Sequence, residues 1–381
     1  MKPPVMGVHG LLLVTLPTAC WALIFSDSAA YSDSAAYNDT FLMQRLGLGA
    51  SANATSISSM CASFGLSPRR EDEPQPRVFD AVLYHGEEGL LRLRAAELLG
   101  TVDGHIVGIT EATFRGDKND VEQLRASVSR AAKTAQIVQV PWGQTQSSCM
   151  AYGSDANMAL GLHLEVRDDA SRRSRSSCWQ SFARNYLAAG VEAKSAQPWD
   201  WVIVSDVDEI PDRMAVGILK HCSIPHEALL YRSYAHYVYS TSCKVTGGKT
   251  YWLEGTRGPV AVRVSTMQKS GLQAARVRGT TCKPVGPYGT CHRVKPYVLP
   301  PSAWHMSSCM PPASVLTKMQ SNVDRITTQQ SVEDIKRQRT QCIDPRGFFE
   351  LTRLSKPAMK FPDVPRAFAE NLHLYRDMMM S

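Results

Sequence analysis

The sequence predicts an α/β domain: a mixed, mostly parallel sheet with flanking helices and a helical C-terminal part. Three observations predict it. Strand-length apolar runs alternate with an amphipathic helix between Val78 and Val140. A second helical stretch, Ser171 to Ala189, leads into the apolar run Trp199 to Val204. From Pro312 onward the pattern turns helical. Strand-helix-strand alternation is the pattern of a parallel sheet covered by helices.

Each element has a local reason. Val78 to Tyr84 reads as a strand; Glu88 to Leu99 has apolar residues at helical spacing and is closed by Gly100. His105 to Ile109 and Thr134 to Val140 are the next strands, and the helix from Ser171 is expected to stop at Gly190. After the Trp199 strand, Met214 to His221 reads as a helix capped by Asp206 or Asp212. Leu229 to Tyr239 and Val260 to Ser265 are later strands.

Composition bounds the class. The chain has 381 residues, 44% hydrophobic and 20% charged, near the roughly 45–50% and 25% of soluble globular domains, which excludes global disorder, collagen and a polytopic membrane protein. A net charge of +7 is modest and suits anionic ligands such as sugar nucleotides or phospholipid surfaces. The densest basic cluster, Arg172, Arg173 and Arg175, has no interleaved aromatics, so nucleic acid is not an expected partner.

Three regions are expected. Residues 1–25 contain the apolar run Val5 to Phe25, long enough to span a bilayer, as a signal-anchor or as a signal peptide cut near Ser28 to Ala30. Residues 26–75 form a low-complexity stem carrying the doubled SDSAAY segment and the sequons at Asn38 and Asn53. Residues 76–381 form the catalytic unit. With Cys20 in the apolar run, nine of the ten cysteines lie beyond it, so at least one stays unpaired; Cys282 and Cys291, bracketing a Pro- and Gly-rich turn, are the best pair. No Cys-x-x-Cys occurs, which disfavours zinc.

The stretch richest in chemistry is Trp199 to Asp212, WDWVIVSDVDEIPD. A buried strand ends in Asp206, Asp208 and Glu209, at the strand end where open α/β sheets bind ligands. Carboxylates this close repel unless a hard divalent cation, Mn2+ or Mg2+, offsets them.

SDVDEIP after an apolar strand resembles glycosyltransferase family 17, the bisecting N-acetylglucosaminyltransferase-like group. Matching positions follow in order: Phe79, Glu87, Arg94, Glu97, Asp103, Glu111 and Gly116 in the opening segment, Arg184-Asn185, Trp304-His305 with Ser307, and Val364-Pro365 to Asn371. The chain departs from the pattern at Gly86 and Gly89 and lacks two residues between Glu111 and Thr113. The resemblance implies a GT-A-type nucleotide-sugar-binding fold and a metal-dependent, inverting transfer from a UDP-sugar, GlcNAc by analogy, to a mannose of a glycoprotein N-glycan. It also implies a Golgi membrane protein of type II with a lumenal catalytic domain.

Roles follow. Asp208 would hold the cation, with Asp206 on ribose or metal; His305 would complete the metal shell from a distant loop, or else pack in the core beside Trp304. Glu209 and Glu254, the latter in YWLEGTRG, are the candidates for the base that deprotonates the acceptor hydroxyl. Glu87, Arg94 and Glu111 are implied in donor binding, and Arg257 and Lys318 are candidates to pair the diphosphate. Two other readings use the same residues: a metal-dependent hydrolase of phosphate or glycosidic bonds, and an inactive glycan-binding protein on the same fold. Gly47-x-Gly49 lacks a preceding strand and Gly248-Lys249-Thr250 lacks the first glycine of a phosphate loop, so neither marks a nucleotide site.

Overall fold

Folded structure begins before Pro76, inside the stretch expected to be stem. α1 (Ala54–Ser63) buries Met60 and Cys61, and Phe64 follows them inward. Cys61 is disulfide-bonded to Cys222, and β1 (Ser67–Pro68) pairs antiparallel with β7 (Cys222–Ser223). The Arg69 guanidinium donates to the carbonyls of Leu219, Lys220 and Cys222. A helix this poor in large apolar side chains has little area to bury, so composition reads it as linker. A crosslink between residues 161 apart in sequence compensates.

The computed structural model describes residues 54–113, 116–145, 168–248, 258–276, 296–321, 330–344 and 349–379, all within one compact unit, Asn53–Ser381. The apolar run from Val5, the asparagines of both sequons and the Cys282 and Cys291 pair lie outside the described residues. Among the described residues no helix is long and apolar enough to cross a membrane. Cys243 is bonded to Cys342, Cys178 is also in a disulfide, and Cys309 is a buried free thiol.

From Val78 the alternation follows the sequence. β2 (Val78–Tyr84), α2 (Glu88–Glu97), β3 (Gly104–Thr110), α3 (Val121–Ala131), β4 (Gln136–Val140) and α4 (Asp168–Glu192) lead to β5 (Trp201–Asp206). β4, β3, β2 and β5 lie side by side and parallel. Beyond them come β6 (Glu209–Pro211), α5 (Arg213–His221), β8 (Ala228–Val238), β9 (Cys243–Gly248), β10 (Val260–Arg263), α6 (Val264–Arg276) and β11 (Tyr297–Ser307). β10 inserts antiparallel between β5 and β8, β11 runs parallel to β8, and β9 and β12 (Phe349–Arg353) extend the sheet antiparallel. The architecture is therefore mixed α/β, with a parallel half, an extended mixed half, and a helical C-terminal part: α7 (Pro312–Ser321), α8 (Val332–Gln341), α9 (Arg366–Glu370) and α10 (Arg376–Met379).

β2 is buried along its whole length, as a strand covered on both faces must be. Its side chains alternate between two cores. Phe79, Ala81 and Leu83 pack with Phe182, Leu187 and Val191 of α4 and Met267 and Leu272 of α6. Val82 and Tyr84 pack with Leu90, Leu91 and Leu93 of α2, Val128 of α3, and Val364 and Phe368 near the C-terminus.

Two expected boundaries differ. The strand from Val260 ends at Arg263, and Val264 opens a helix. α4 does not stop at Gly190 but runs to Glu192, because Gly190 is a contact residue: a Cβ there would lie 2.6 Å from methyl carbons of Ile106 and Val138. Glycine lets the helix sit directly on the sheet. Gly190→Ala should therefore destabilise the fold, since overpacking costs about 1–3 kcal/mol against the roughly 1 kcal/mol that alanine gains in a helix. Urea unfolding measures this, and an unchanged or higher midpoint would contradict the packing.

α2 ends on a fully buried carboxylate. Glu97 Oε2 accepts from the Ala367 amide at 2.8 Å, and Arg213 Nε lies 3.5 Å from Oε1. Burial, aided by the charge of Asp212 and opposed by those two partners, pushes the carboxyl up to about 7 from an ordinary 4.5. The folded state thus keeps a proton that the unfolded chain releases, so stability falls as pH rises from 4.5 to about 7, by up to about 3 kcal/mol. Glu97→Gln, which keeps an acceptor for Ala367, is expected to flatten that slope in denaturation series across this pH window.

Candidate functional site

The chain runs from β2 through β3 to β4 in one direction across the sheet, and β5 then joins on the other side of β2. This reversal opens a crevice at the carboxyl ends of β2 and β5, the place where open α/β sheets bind ligands. β2 delivers Glu87 there, and β5 delivers Asp206, Val207, Asp208 and Glu209. Val207 is buried in the core beneath. Asp212, not Asp206, caps α5, accepting from the Met214 amide at 2.8 Å.

The acidic turn is held from below. Arg94 is fully buried, and its Nη1 donates to the carbonyls of Asp206, at 3.2 Å, and Glu209, at 2.5 Å. Its Nε and Nη2 donate to the two carboxylate oxygens of Asp80 at 2.8 and 2.5 Å, and His105 Nδ1 meets Asp80 at 3.0 Å. Burial penalises the Asp80 charge, but Arg94 and His105 outweigh it and hold the carboxyl below its usual range. Arg94, expected to bind donor, is thus a strut under the turn with no surface of its own. Arg94→Met would leave Asp80 buried without its main partner, a loss of about 3–5 kcal/mol. The double variant Asp80→Asn with Arg94→Met should recover part of that in chemical denaturation.

Four carboxylates meet three cations on the crevice side. Arg184 Nη2 donates to Asp206 Oδ1 at 2.5 Å and Arg276 Nη2 to Oδ2 at 2.8 Å. Arg276 also grips both oxygens of Glu209, at 2.8 and 2.7 Å. Lys318 Nζ lies 2.8 Å from Asp208 Oδ2 and 3.3 Å from Glu87 Oε1. At the two aspartates burial works against the charge, yet the ion pairs win: Asp206 is held well below the usual carboxylate range by Arg184 and Arg276, and Asp208 is lowered by Lys318 and His305, whereas burial prevails at Arg184 and lowers it. Arg276 and Lys318 are raised by the same partners.

Glu209, a candidate base, is enclosed. Its side chain is 2% exposed, and besides Arg276 it accepts from the Asp206 amide at 3.2 Å. It is a carboxylate that positions Arg276 rather than one open to an acceptor hydroxyl. Arg276 itself was not among the residues read from the sequence. It comes from the end of α6, which kinks at Gly271 (φ 74°), where a Cβ would lie 2.7 Å from Asn185 Oδ1; that oxygen accepts from the Gln273 amide at 2.9 Å.

His305 comes from a strand, not from a distant loop. β11 pairs with β6 so that His305 faces Glu209 in register. Alternation along β11 buries Trp304, whose Nε1 donates to the Pro362 carbonyl at 2.7 Å, and brings His305 Nε2 to 3.8 Å from Asp208 Oδ1. The His305 ring stacks in parallel on His236 of β8, centroids 4.1 Å apart. Asp208 and His305 together offer a hard oxygen and an imidazole nitrogen, a donor pair that suits Mn2+ or Mg2+ when phosphate oxygens supply further ligands. Asp206, the third expected ligand, is taken up by its two arginines. Among the described residues no three His, Cys, Asp or Glu side chains group closely enough to hold a metal ion by themselves.

Glu111 stands at the end of β3, where it accepts from Gln139 Nε2 at 2.7 Å and the Trp142 amide at 3.1 Å, bracing the chain after β4. Glu254 and Arg257 lie outside the described residues.

No family model matches the chain, and no curated protein sequence does. Among solved structures it is similar to glucosyl-3-phosphoglycerate synthase from Mycobacterium tuberculosis in complex with phosphoglyceric acid, at 14% identity over 60% of this chain and 67% of that one, with a TM-score of 0.28. It is also similar to a mycobacterial protein, at 12% identity over 59% and 64% of the two chains, with a TM-score of 0.28. The chain spans about two thirds of the length of these structures, 67% and 64%.

Proposed function

We propose that this chain is a GT-A-type glycosyltransferase that moves a sugar from a UDP-sugar to a hydroxyl of a glycan with inversion. The observation that carries the reading is the Asp206 to Glu209 turn at the β2/β5 crevice, with His305 beside Asp208. The choice of GlcNAc and of an N-glycan mannose rests on the resemblance in sequence. Placement in the Golgi lumen, behind a signal-anchor at Val5 to Phe25, is supported by that apolar run and by the disulfides, which suit an oxidising compartment.

A divalent cation bound here would neutralise charge developing on the departing diphosphate. The remaining work falls to side chains. Asp208 and His305 would hold the cation, Arg94 fixes the turn that carries Asp208, and Glu209 with Asp206 fixes Arg276 and Arg184 along the crevice. With Glu209 enclosed, the general-base role goes to Glu254.

The test is a panel of UDP-sugars with Mn2+, with and without N-glycan acceptors, read as UDP release and product mass. The expected result is acceptor-dependent release with a gain of one sugar, lost with chelator and reduced by about a hundredfold or more in Asp208→Ala. His305→Ala should raise the Mn2+ concentration needed for half-maximal rate. Undiminished turnover in Asp208→Ala removes the cation role; UDP release without mass gain indicates a hydrolase, and binding without release a glycan-binding protein.

A further inference from the structure

Lys318 occupies the carboxylate that the proposed reading gives to the cation. Its Nζ is 2.8 Å from Asp208 Oδ2, on a carboxylate whose Oδ1 faces His305 at 3.8 Å. A second acceptor is in reach, Glu87 Oε1 at 3.3 Å. An ammonium on a flexible four-carbon stem exchanges partners readily, unlike a guanidinium fixed in a two-pronged pair. Arg276 is so fixed, on both oxygens of Glu209.

The charge count decides what such an exchange does. Glu87, Asp206, Asp208 and Glu209 meet Arg184, Arg276 and Lys318, a net charge of minus one among these seven side chains. That sign disfavours a diphosphate. A divalent cation on Asp208 turns it to plus one and at the same time repels the ammonium sharing that carboxylate, an effect strengthened by the low dielectric of a buried site. Lys318 then has Glu87 on one side and the incoming anion on the other.

We infer that Lys318 is a placeholder for the cation: the two compete for Asp208, and the displaced ammonium becomes a partner of the donor's diphosphate. This rests on the proposed cation site at Asp208 and His305. It makes a prediction of opposite signs. In the full chain without nucleotide, Lys318→Gln should bind Mn2+ about tenfold more tightly than the unsubstituted protein, because the competitor is gone. With Mn2+ saturating, the same variant should bind UDP about tenfold more weakly. Lys318→Arg, which keeps the charge on a guanidinium that yields a carboxylate less readily, should bind Mn2+ no more tightly than the unsubstituted protein, and Lys318→Met repeats the test with an apolar stem.

Free Mn2+ followed by its paramagnetic resonance signal gives the first constant, calorimetry with UDP the second, and circular dichroism checks the fold. Mn2+ binding that is unchanged or weaker in both Lys318→Gln and Lys318→Met, while Asp208→Asn abolishes it, overturns the placeholder role and leaves the cation site standing. Absence of Mn2+ binding in the unsubstituted chain, or binding indifferent to Asp208→Asn, overturns the site and the placeholder together.

Discussion

The buried pair of Arg94 and Asp80 is the constraint on which the site depends. A charged pair with no exposed surface costs several kcal/mol per ion to desolvate, and only near-complete hydrogen bonding makes it tolerable. Here the guanidinium spends one side on Asp80 and the other on two carbonyls of the acidic turn. The turn is thereby fixed at its backbone, and none of its carboxylates is needed to hold Arg94. Side chains that repel one another can share a strand end because their main chain has no freedom to separate.

The same economy links segments far apart in sequence. Trp304 hangs on the Pro362 carbonyl, and the Ala367 amide hangs on Glu97. The C-terminal segment thus braces both the strand that carries His305 and the helix that carries Arg94. Arg94, Glu97, Trp304, His305 and the stretch from Val364, scattered along the sequence, are joined by these contacts, whereas Asp103 accepts from the Val78 amide at the other end of β2. Glu97 and Arg94 occupy one helix, three residues apart, and face different tasks: one ties down the C-terminus, the other the turn.

Much of this was legible beforehand, for physical reasons. β2 is apolar because it is covered on both faces, so the run Val78 to Tyr84 marks its own ends. The acidic residues that follow the apolar run mark the carboxyl end of β5, where the ion pairs gather. What sequence did not reveal depends on tertiary approach. Gly190 looks like a stop signal until its lack of a Cβ is seen to let α4 touch Ile106 and Val138. Arg276 is one arginine among many until a kink at Gly271 aims its helix at Asp206 and Glu209. Glu209 looks as available as Asp208 until burial and a two-pronged arginine are counted. α1 was missed because its anchorage is covalent, and a cysteine's partner cannot be read from spacing.

That last feature bears on how the molecule can be cut. A soluble fragment beginning at Pro76, where composition puts the start of the catalytic unit, would discard Cys61 and leave Cys222 as an unpaired thiol. It would also strip Met60 and Phe64 from the body and remove the strand partner of β7. In an oxidising compartment such a thiol seeks another partner, so the fragment would invite crosslinked aggregates whatever the soundness of its sheet. Any truncation that respects the fold starts at or before Asn53.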